Sequence, residues 1–322
     1  MSNVDMRPKE LSRRTFIRAA VLATSAPATK STTALSAKQA AVKRPICVFS
    51  KHLQWLDYRG MAEVAAEIGF DGVDLTVRPG GHVLPERVGD DLPRALEATK
   101  AAGISMPMIT TRIQYPDDPL TASVLETARK CGVGCYRMGY WSYDDKKTVM
   151  QNLQMLKPRM KQLADVNERH HIHGAYQNHA GRRVGAAIWD LYYLLEGLNP
   201  KWIGSQYDVR HATAEGGYSW RLGMKLLSPF IRSAVIKDFR WEKKDGKWKD
   251  VHVPLGEGMV DFKQYFKLVK SLNIGGPISL HYEYPVYDKA NKNLSQKERR
   301  RQTITAMRRD LTALRTMLKE AG

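Results

Sequence analysis

Long hydrophobic runs are absent from this 322-residue sequence, and no apolar stretch approaches the roughly 18 residues that cross a membrane. We therefore expect no stable membrane span. Cysteine is scarce as well: Cys47, Cys131 and Cys135 are odd in number and lack CxxC spacing, which excludes a disulfide framework and a structural zinc knot. Acidic residues are few, 33 against 51 lysines and arginines, so the formal net charge is +18. This excess favours anionic ligands or surfaces, although basic residues spread along the chain also suit solvated helix faces.

The first 40 residues are predicted to be an export signal and linker. Residues 12–18, Ser-Arg-Arg-Thr-Phe-Ile-Arg, resemble the twin-arginine motif, and a short, weakly apolar segment follows them. Residues 26–28, Ala-Pro-Ala, offer one candidate cleavage site, and a later cut near residues 37–41 is also open. A disordered basic tail is the alternative interpretation. We expect a periplasmic or extracytoplasmic mature protein.

From residue 45 onward, short apolar runs alternate with amphipathic stretches, several of which end at a glycine that suits a helix C-cap, as at Gly69, Gly103 and Gly132. Eight such units with no linker between them predict an α/β protein, a single (β/α)8 TIM barrel over residues 45–322. The predicted strands are 46–50, 72–77, 104–110, 135–140, 172–177, 203–208, 231–237 and 278–283. The predicted helices are 58–68, 91–102, 119–131, 147–169, 186–198, 219–227, 262–272 and 297–318.

One long connection, residues 240–258, follows the seventh predicted strand. It carries Trp241, Trp248 and a Lys-Lys-Asp-Gly-Lys turn at 243–247. Loops that follow barrel strands lie on the catalytic face. We expect this segment to form a lid or a wall over the substrate.

The last predicted strand alternates with a period of two, which separates Ile278 and Leu280 from Ser279, His281 and Glu283. Polar residues that point inward at the carboxyl end of a barrel strand form the active site rather than the core. Glu283 is therefore the first candidate for catalysis. Similar polar endings of other strands place Asp74, Arg137, Gln177, His179, Asp208 and Lys237 at the same mouth of the barrel.

Five segments together resemble the xylose-isomerase-like TIM-barrel superfamily, which comprises sugar phosphate isomerases and epimerases and also endonuclease IV. They are Gly69–Leu75, Tyr176–His179, Asp208–His211, Ile236–Asp238 and His281–Pro285. The resemblance covers roughly residues 45–320 and implies the same barrel.

The resemblance also implies one divalent metal (Mn, Zn, Co, Fe or Mg). It is held by Glu, Asp, His and Glu at the ends of strands five, six, seven and eight. Asp208 and Glu283 match that pattern, whereas Gln177 and Lys237 depart from it, and His179 or His211 could fill the gap. The metal ligands so implied are Asp208, Glu283, Gln177 and His211.

Family members abstract a proton beside a carbonyl, and the resulting enediolate is stabilised by a positive charge. Because Gln177 cannot act as a base, the pattern favours a one-base reaction with Glu283 or His179 as base and Lys237 as stabiliser or acid. The implied function is that of a sugar isomerase, epimerase or lyase. Its substrate would be a small carbohydrate, with an oxidised 3-keto sugar or glycoside suggested by analogy to exported relatives.

Two other functions remain open from the sequence. One is a non-catalytic carbohydrate-binding barrel with a decayed metal site, and the other is an endonuclease IV-like nuclease, which export and the arrangement of nine histidines disfavour. We expect no nucleic-acid partner, and the sequence leaves open whether the chain forms a homo-oligomer. The predicted substrate-binding residues are Lys51, His52, Asp74, Arg78, Arg112, Arg137, Trp141, Asn178, Asp238 and His281.

Overall fold

The computed structural model describes residues 44–321; the export signal predicted for residues 1–40 lies outside the described residues. Eight parallel strands close into a barrel in the order β1-β2-β3-β4-β5-β6-β7-β10, and β10 pairs with β1. This confirms the predicted (β/α)8 TIM barrel. The barrel strands are β1 (Ile46–Phe49), β2 (Gly72–Thr76), β3 (Ser105–Thr110), β4 (Cys135–Arg137), β5 (His173–Gln177), β6 (Ile203–Asp208), β7 (Ile231–Ile236) and β10 (Ile278–Leu280).

Helices surround the barrel, and their bounds follow the predicted ones closely. The first begins after Asp57, whose side chain accepts the Gly60 N–H at 2.8 Å, and ends at Gly69, whose left-handed φ of 106° suits glycine. The helices are α1 (Tyr58–Ile68), α2 (Val88–Ala101), α3 (Pro119–Lys130), α4 (Val149–His170), α5 (Ile188–Leu195), α6 (Val209–Gly216), α7 (Trp220–Leu227), α8 (Phe262–Ser271) and α9 (Gln296–Glu320).

One helix, α6, and one hairpin of two strands were not predicted. Helix α6 begins directly after β6, where a loop was expected, because Asp208 caps it by accepting the backbone N–H of His211 at 3.1 Å. The connection at residues 240–258 is largely an antiparallel hairpin of β8 (Asp238–Lys244) and β9 (Lys247–Val253), which forms a sheet of its own.

Strand β10 is shorter than predicted, which matters because the first candidate residue follows it. The backbone N–H of His281 still bonds the carbonyl of Ile236 at 2.9 Å. The next N–H, of Tyr282, instead donates to Nε2 of His52 at 3.0 Å. A side chain thus replaces the neighbouring strand as the partner, and Glu283 leaves the sheet at the barrel mouth.

The core lies between the barrel and its helices and within the barrel itself. Apolar strand residues such as Val48, Val73 and Ile236 are fully buried against apolar helix faces. Cys47, Cys131 and Cys135 are unpaired. Within residues 44–321, no helix combines the length and the apolar character needed to cross a membrane.

Candidate functional site

A cavity of about 460 Å³ lies at the carboxyl-terminal mouth of the barrel, within the range of roughly 300 to 1,000 Å³ typical of small-molecule sites. Its walls come from residues that follow β1, β5, β6, β7 and β10 and from the β8–β9 hairpin. The predicted catalytic residues Glu283, Lys237 and His179 all line it. They are joined there by Lys51, Arg210, His211, Trp241, Asp250 and His252.

A larger depression, of about 930 Å³, lies against α1 and α2. Several of its charged residues belong to those helices, and Arg59 and Glu63 among them pair with each other at 2.7 Å. None of the three predicted catalytic residues lines it. We therefore place the candidate site in the smaller cavity, where the polar strand ends meet.

Lys237 and Asp208 form a buried ion pair at the centre of this mouth. Asp208 ends β6 and is fully buried, and Lys237 follows the neighbouring strand β7 and is 5% exposed. The Lys237 Nζ lies 3.1 Å from Oδ2 of Asp208 and 2.9 Å from Nε2 of His211. Burial, reinforced by Lys237 and His179, holds the pKa of His211 well below its usual value, so this imidazole is neutral.

Gln177 lies beside this pair and is held in one orientation. Its amide nitrogen donates to Oδ2 of Asp208 at 2.7 Å. Its carbonyl oxygen accepts the hydroxyl of Tyr140 and Nη1 of Arg137, the latter at 3.3 Å. Because a guanidinium and a hydroxyl already bind that oxygen, the amide turns its donor, and not its acceptor, toward Asp208.

Glu283 occupies another side of the cavity and pairs with Lys51, whose Nζ lies 2.9 Å from Oε2. Burial alone would raise the pKa of Glu283, but Lys237, His52 and Lys51 outweigh it and lower the pKa to about 2. The carboxylate is therefore ionised at neutral pH. The Glu283 carboxylate would become a stronger base if a bound substrate replaced it as the partner of Lys51.

His281 lies between Glu283 and a buried carboxylate, that of Asp74. The hydroxyl of Ser279 donates to Oδ2 of Asp74 at 2.7 Å, so its oxygen is free to accept Nε2–H of His281 at 3.2 Å. In that tautomer the lone pair of His281 is on Nδ1, which lies 4.0 Å from Oε1 of Glu283. Burial, followed by the charge of Lys237, lowers the pKa of His281 well below its usual value. A neutral His281 thus faces Glu283.

His179 presents a free imidazole nitrogen to the cavity. Its Nδ1 donates to the carbonyl of Ala180 at 2.9 Å, which leaves the lone pair on Nε2. Its ring lies against that of His211, with 4.0 Å between centroids. Burial lowers the pKa of His179 to about 4, so this nitrogen is an acceptor at neutral pH.

Three of the four residues implied as metal ligands, Asp208, His211 and Gln177, do not fit a divalent cation in this arrangement. Asp208 and His211 converge as the resemblance implies, but they converge on the ammonium of Lys237. The carbonyl oxygen of Gln177 is turned away toward Tyr140. A cation at this position would displace or repel a buried positive charge.

A second group of ligand atoms, from His52, His281 and Glu283, lies within 4.8 Å of one another. The lone pair of a neutral His52 is taken by the backbone N–H of Tyr282, bound at Nε2 at 3.0 Å. Lys51 takes one oxygen of Glu283. This group therefore offers two free ligands, fewer than a divalent cation needs from a protein site.

Four of the predicted substrate-binding residues serve the framework of the barrel. Asp74 accepts hydroxyl groups from β3 and β10, and the side-chain amide of Asn178 bonds both backbone groups of Asp208 at 2.8 and 2.9 Å. Trp141 is 2% exposed, and Asp238 accepts four backbone N–H groups. The contacts of Asp74, Asn178 and Asp238 and the burial of Trp141 suit a structural role.

The predicted arginines differ in their surroundings. Arg137 is buried against Gln177, whereas the guanidinium of Arg78 lies 5.6 Å above the ring of Phe49, and burial lowers the pKa of Arg78. Arg112 is exposed. Binding of substrate by any of the ten residues stays a prediction.

Two residues of the hairpin, Asp250 and His252, line the cavity but were not among the predicted site residues. Asp250 and His252 lie on one face of β9, and Asp250 is opposite Trp241 of β8. Asp250 also pairs with the buried guanidinium of Arg210, which contacts Nδ1 of His211 at 3.0 Å. The spacing of two residues between Trp248, Asp250 and His252 is the sequence pattern that could have predicted a strand with these side chains on one face.

Comparison with known proteins agrees with this architecture. Residues 62–310 match the sequence model of the xylose isomerase-like TIM barrel. No curated protein matches the chain significantly in sequence.

Several solved structures share the fold. The apo 3-keto-D-glucoside 4-epimerase from E. coli superposes with a TM-score of 0.62 at 14% identity, over 85% of this chain and 100% of the other. The probable 3-DHS dehydratase of petrobactin synthesis from Bacillus anthracis gives 0.63 at 14% identity, over 84% and 98%. A magnesium complex of a xylose isomerase-like TIM barrel protein from Mycobacterium smegmatis gives 0.61 at 14% identity, over 86% and 99%. With more than half of its length matched by the family model, the chain belongs to the xylose isomerase-like TIM barrel family.

Proposed function

We propose that the chain is a sugar-modifying enzyme that removes a proton from the carbon next to a carbonyl of a carbohydrate. The observation that carries this proposal is that an ionised carboxylate, Glu283, and a buried ammonium, Lys237, line the same cavity. A base and a fixed positive charge are the two groups that enolate formation requires.

In this reaction the C–H bond breaks and its proton passes to Glu283. The electron pair moves onto the carbonyl oxygen, which becomes an enolate oxygen and accepts a hydrogen bond from Lys237. Return of the proton gives an isomer or epimer. Loss of a β-substituent from the same intermediate gives a lyase product instead.

His179 is the second base that lines the cavity. Its Nε2 lone pair is free because Nδ1–H is held by the Ala180 carbonyl. Epimerisation needs proton transfer on two faces of the substrate carbon, and His179 with Glu283 would supply two acceptors without a second carboxylate. This pair would replace the carboxylate pair that Gln177 interrupts.

An oxidised sugar with a keto group, such as a 3-keto glycoside, is the substrate class we favour. The E. coli neighbour is a 3-keto-D-glucoside 4-epimerase, and its whole chain aligns with 85% of this one. The cavity suits such a substrate, because Lys51, Arg210 and Lys237 can donate hydrogen bonds to sugar oxygens.

A divalent metal, which the resemblance implies, would supply the positive charge as a Lewis acid if the side chains around Asp208 rearranged to admit it. No step above requires it.

The proposed site of action is the periplasm or another extracytoplasmic space, in accordance with the twin-arginine pattern in residues 12–18. Replacing Arg13 and Arg14 with lysine should retain the protein in the cytoplasm when cell fractions are compared. Secretion that is unchanged in this variant would contradict the proposed route.

The proposed reaction is tested by incubation with a panel of keto- and 3-keto-sugars in D₂O, with deuterium incorporation followed by NMR. We expect exchange at one carbon in the wild type and a loss of about 100-fold or more in Glu283→Gln, since a positioned base contributes about 10² to 10⁴. Glu242→Gln is the matched control, because Glu242 also pairs with a basic residue, Arg240 at 2.6 Å, but lies outside the cavity lining.

Exchange that persists unchanged in Glu283→Gln would remove Glu283 as the base. Sugar binding by the wild type without exchange or turnover would instead indicate a carbohydrate-binding barrel.

A further inference from the structure

The position at which this barrel family is expected to hold a metal is occupied by a side chain of this protein. The fully buried carboxylate of Asp208 receives Lys237 Nζ at 3.1 Å and the Gln177 amide at 2.7 Å on the same oxygen, Oδ2. Its other oxygen accepts the backbone N–H of His211. Both oxygens are therefore already satisfied by protein donors.

His211 cannot serve as a ligand while these contacts persist. Its Nδ1 lies 3.0 Å from Nη1 of Arg210, and its Nε2 lies 2.9 Å from Nζ of Lys237. Both partners are cationic donors, and a neutral imidazole has a single lone pair for the two of them. No lone pair is left for a metal ion.

Lys237 retains donor capacity toward the cavity. An ammonium group has three N–H donors, and its contacts with other described residues, the Asp208 carboxylate and Nε2 of His211, use at most two of them. The side chain lines the cavity while it is only 5% exposed. The third N–H can therefore reach a substrate oxygen in a poorly hydrated setting, where a fixed charge acts most strongly.

We propose that the ammonium of Lys237 replaces the divalent cation, so that this chain stabilises the negative charge on its substrate with a built-in cation and works without a metal. Charge stabilisation by Lys237 rests on the proposed function. Occupation of the metal position by Lys237 does not depend on that function and is tested separately from activity.

The experiment is a titration of the purified chain with Mn²⁺ and Co²⁺ by calorimetry, combined with metal analysis of the protein after dialysis. We expect the wild type to bind neither ion stoichiometrically. In Lys237→His an imidazole replaces the ammonium beside Asp208 and His211, and we expect about one ion per chain. The control is Lys161→His, because Lys161 also pairs with a carboxylate, Asp165 at 2.8 Å, but on the exposed face of α4.

Stoichiometric metal in the wild type that is lost in Asp208→Asn would overturn the proposal. A Lys237→His variant that folds, as judged by circular dichroism, but binds no metal would also overturn it. If that variant does not fold, the wild-type titration alone decides.

Activity provides the second readout. Once a substrate is found, wild-type turnover should be unchanged by EDTA, whereas Lys237→Met should lose about 100-fold or more in kcat. Turnover that requires added metal would overturn the proposal. A failure to find any sugar substrate would count against the proposed function and would leave the result of the metal titration standing.

Discussion

Asp238 offers the sharpest test of how the site is held together. It follows Lys237 directly and is 3% exposed. Its Oδ1 accepts the N–H groups of Phe239 at 2.8 Å and Val260 at 3.3 Å, and its Oδ2 accepts those of Gly256 and Gly258, both at 3.0 Å. One carboxylate thus ties the start of the hairpin to the segment that follows it.

The substitution Asp238→Asn keeps the shape but replaces one acceptor oxygen with an N–H donor. Two of the four backbone N–H groups then face a donor and lose their bonds. A hydrogen bond to a charged group contributes about 1.5 to 3 kcal/mol. Gly256 is exposed and Gly258 is partly exposed, so water can replace some of the loss there. Relief of the buried charge offsets a further part, and we expect a net loss of about 2 to 3 kcal/mol.

The assay is urea unfolding at pH 7, followed by tryptophan fluorescence, which yields the free energy of unfolding. Asp57→Asn is the control, because Asp57 accepts one backbone N–H as the N-cap of α1. Asparagine and aspartate are nearly equivalent at that position, so we expect a change below about 0.5 kcal/mol. If Asp238→Asn costs no more than Asp57→Asn, then the four bonds do not hold the junction and this reasoning is refuted.

Two further predictions concern the barrel itself. Gly204→Ala should destabilise the fold by about 2 kcal/mol or more, because a Cβ there would overlap the backbone carbonyl of Phe230. Gly89→Ala on α2 should be neutral or stabilise the fold by about 0.5 kcal/mol, because a Cβ there would have no neighbour within 4 Å. Urea unfolding of the two variants distinguishes these outcomes. Burial lowers the pKa of His173 from 6.5 to about 4, so the unfolded chain takes up its proton first, and up to about 3 kcal/mol of stability should be lost as the pH falls from 6.5 toward 4. His173→Asn should lack this part of the pH dependence, and equal slopes in the two proteins would contradict the assignment.

The sequence could predict the fold because periodicity and helix-ending glycines act locally. The strand ends at Asp208, Lys237 and Glu283 could also be placed at one mouth, since parallel barrel strands all end there. The same reasoning missed α6, because the residues after Asp208 resemble a family motif more than a helix start. Asp208 turns out to cap that helix with one oxygen and to bind Lys237 with the other.

The part of the site that depends on long-range partners could not be predicted. The orientation of the Gln177 amide is set by Tyr140 and Arg137, about forty residues earlier in the chain. Nothing in the sequence around Lys237 shows that Asp208 and His211 both contact its ammonium. Charged residues surround the turn of the hairpin, so the period-two pattern of β9 could not be recognised from apolar residues.

The anchoring of the hairpin also bears on how substrate enters. Asp238 holds the base of the hairpin on both sides, at Phe239 and at Gly256 and Gly258, and Asp250 binds Arg210 farther along it. Because the hairpin is fastened at these points, we expect it to form a rigid rim of the cavity and not a lid that opens. If the chain acts on sugars as proposed, selection among them would depend on the fixed width of the entrance, and the rate of turnover would not be limited by the opening of a lid.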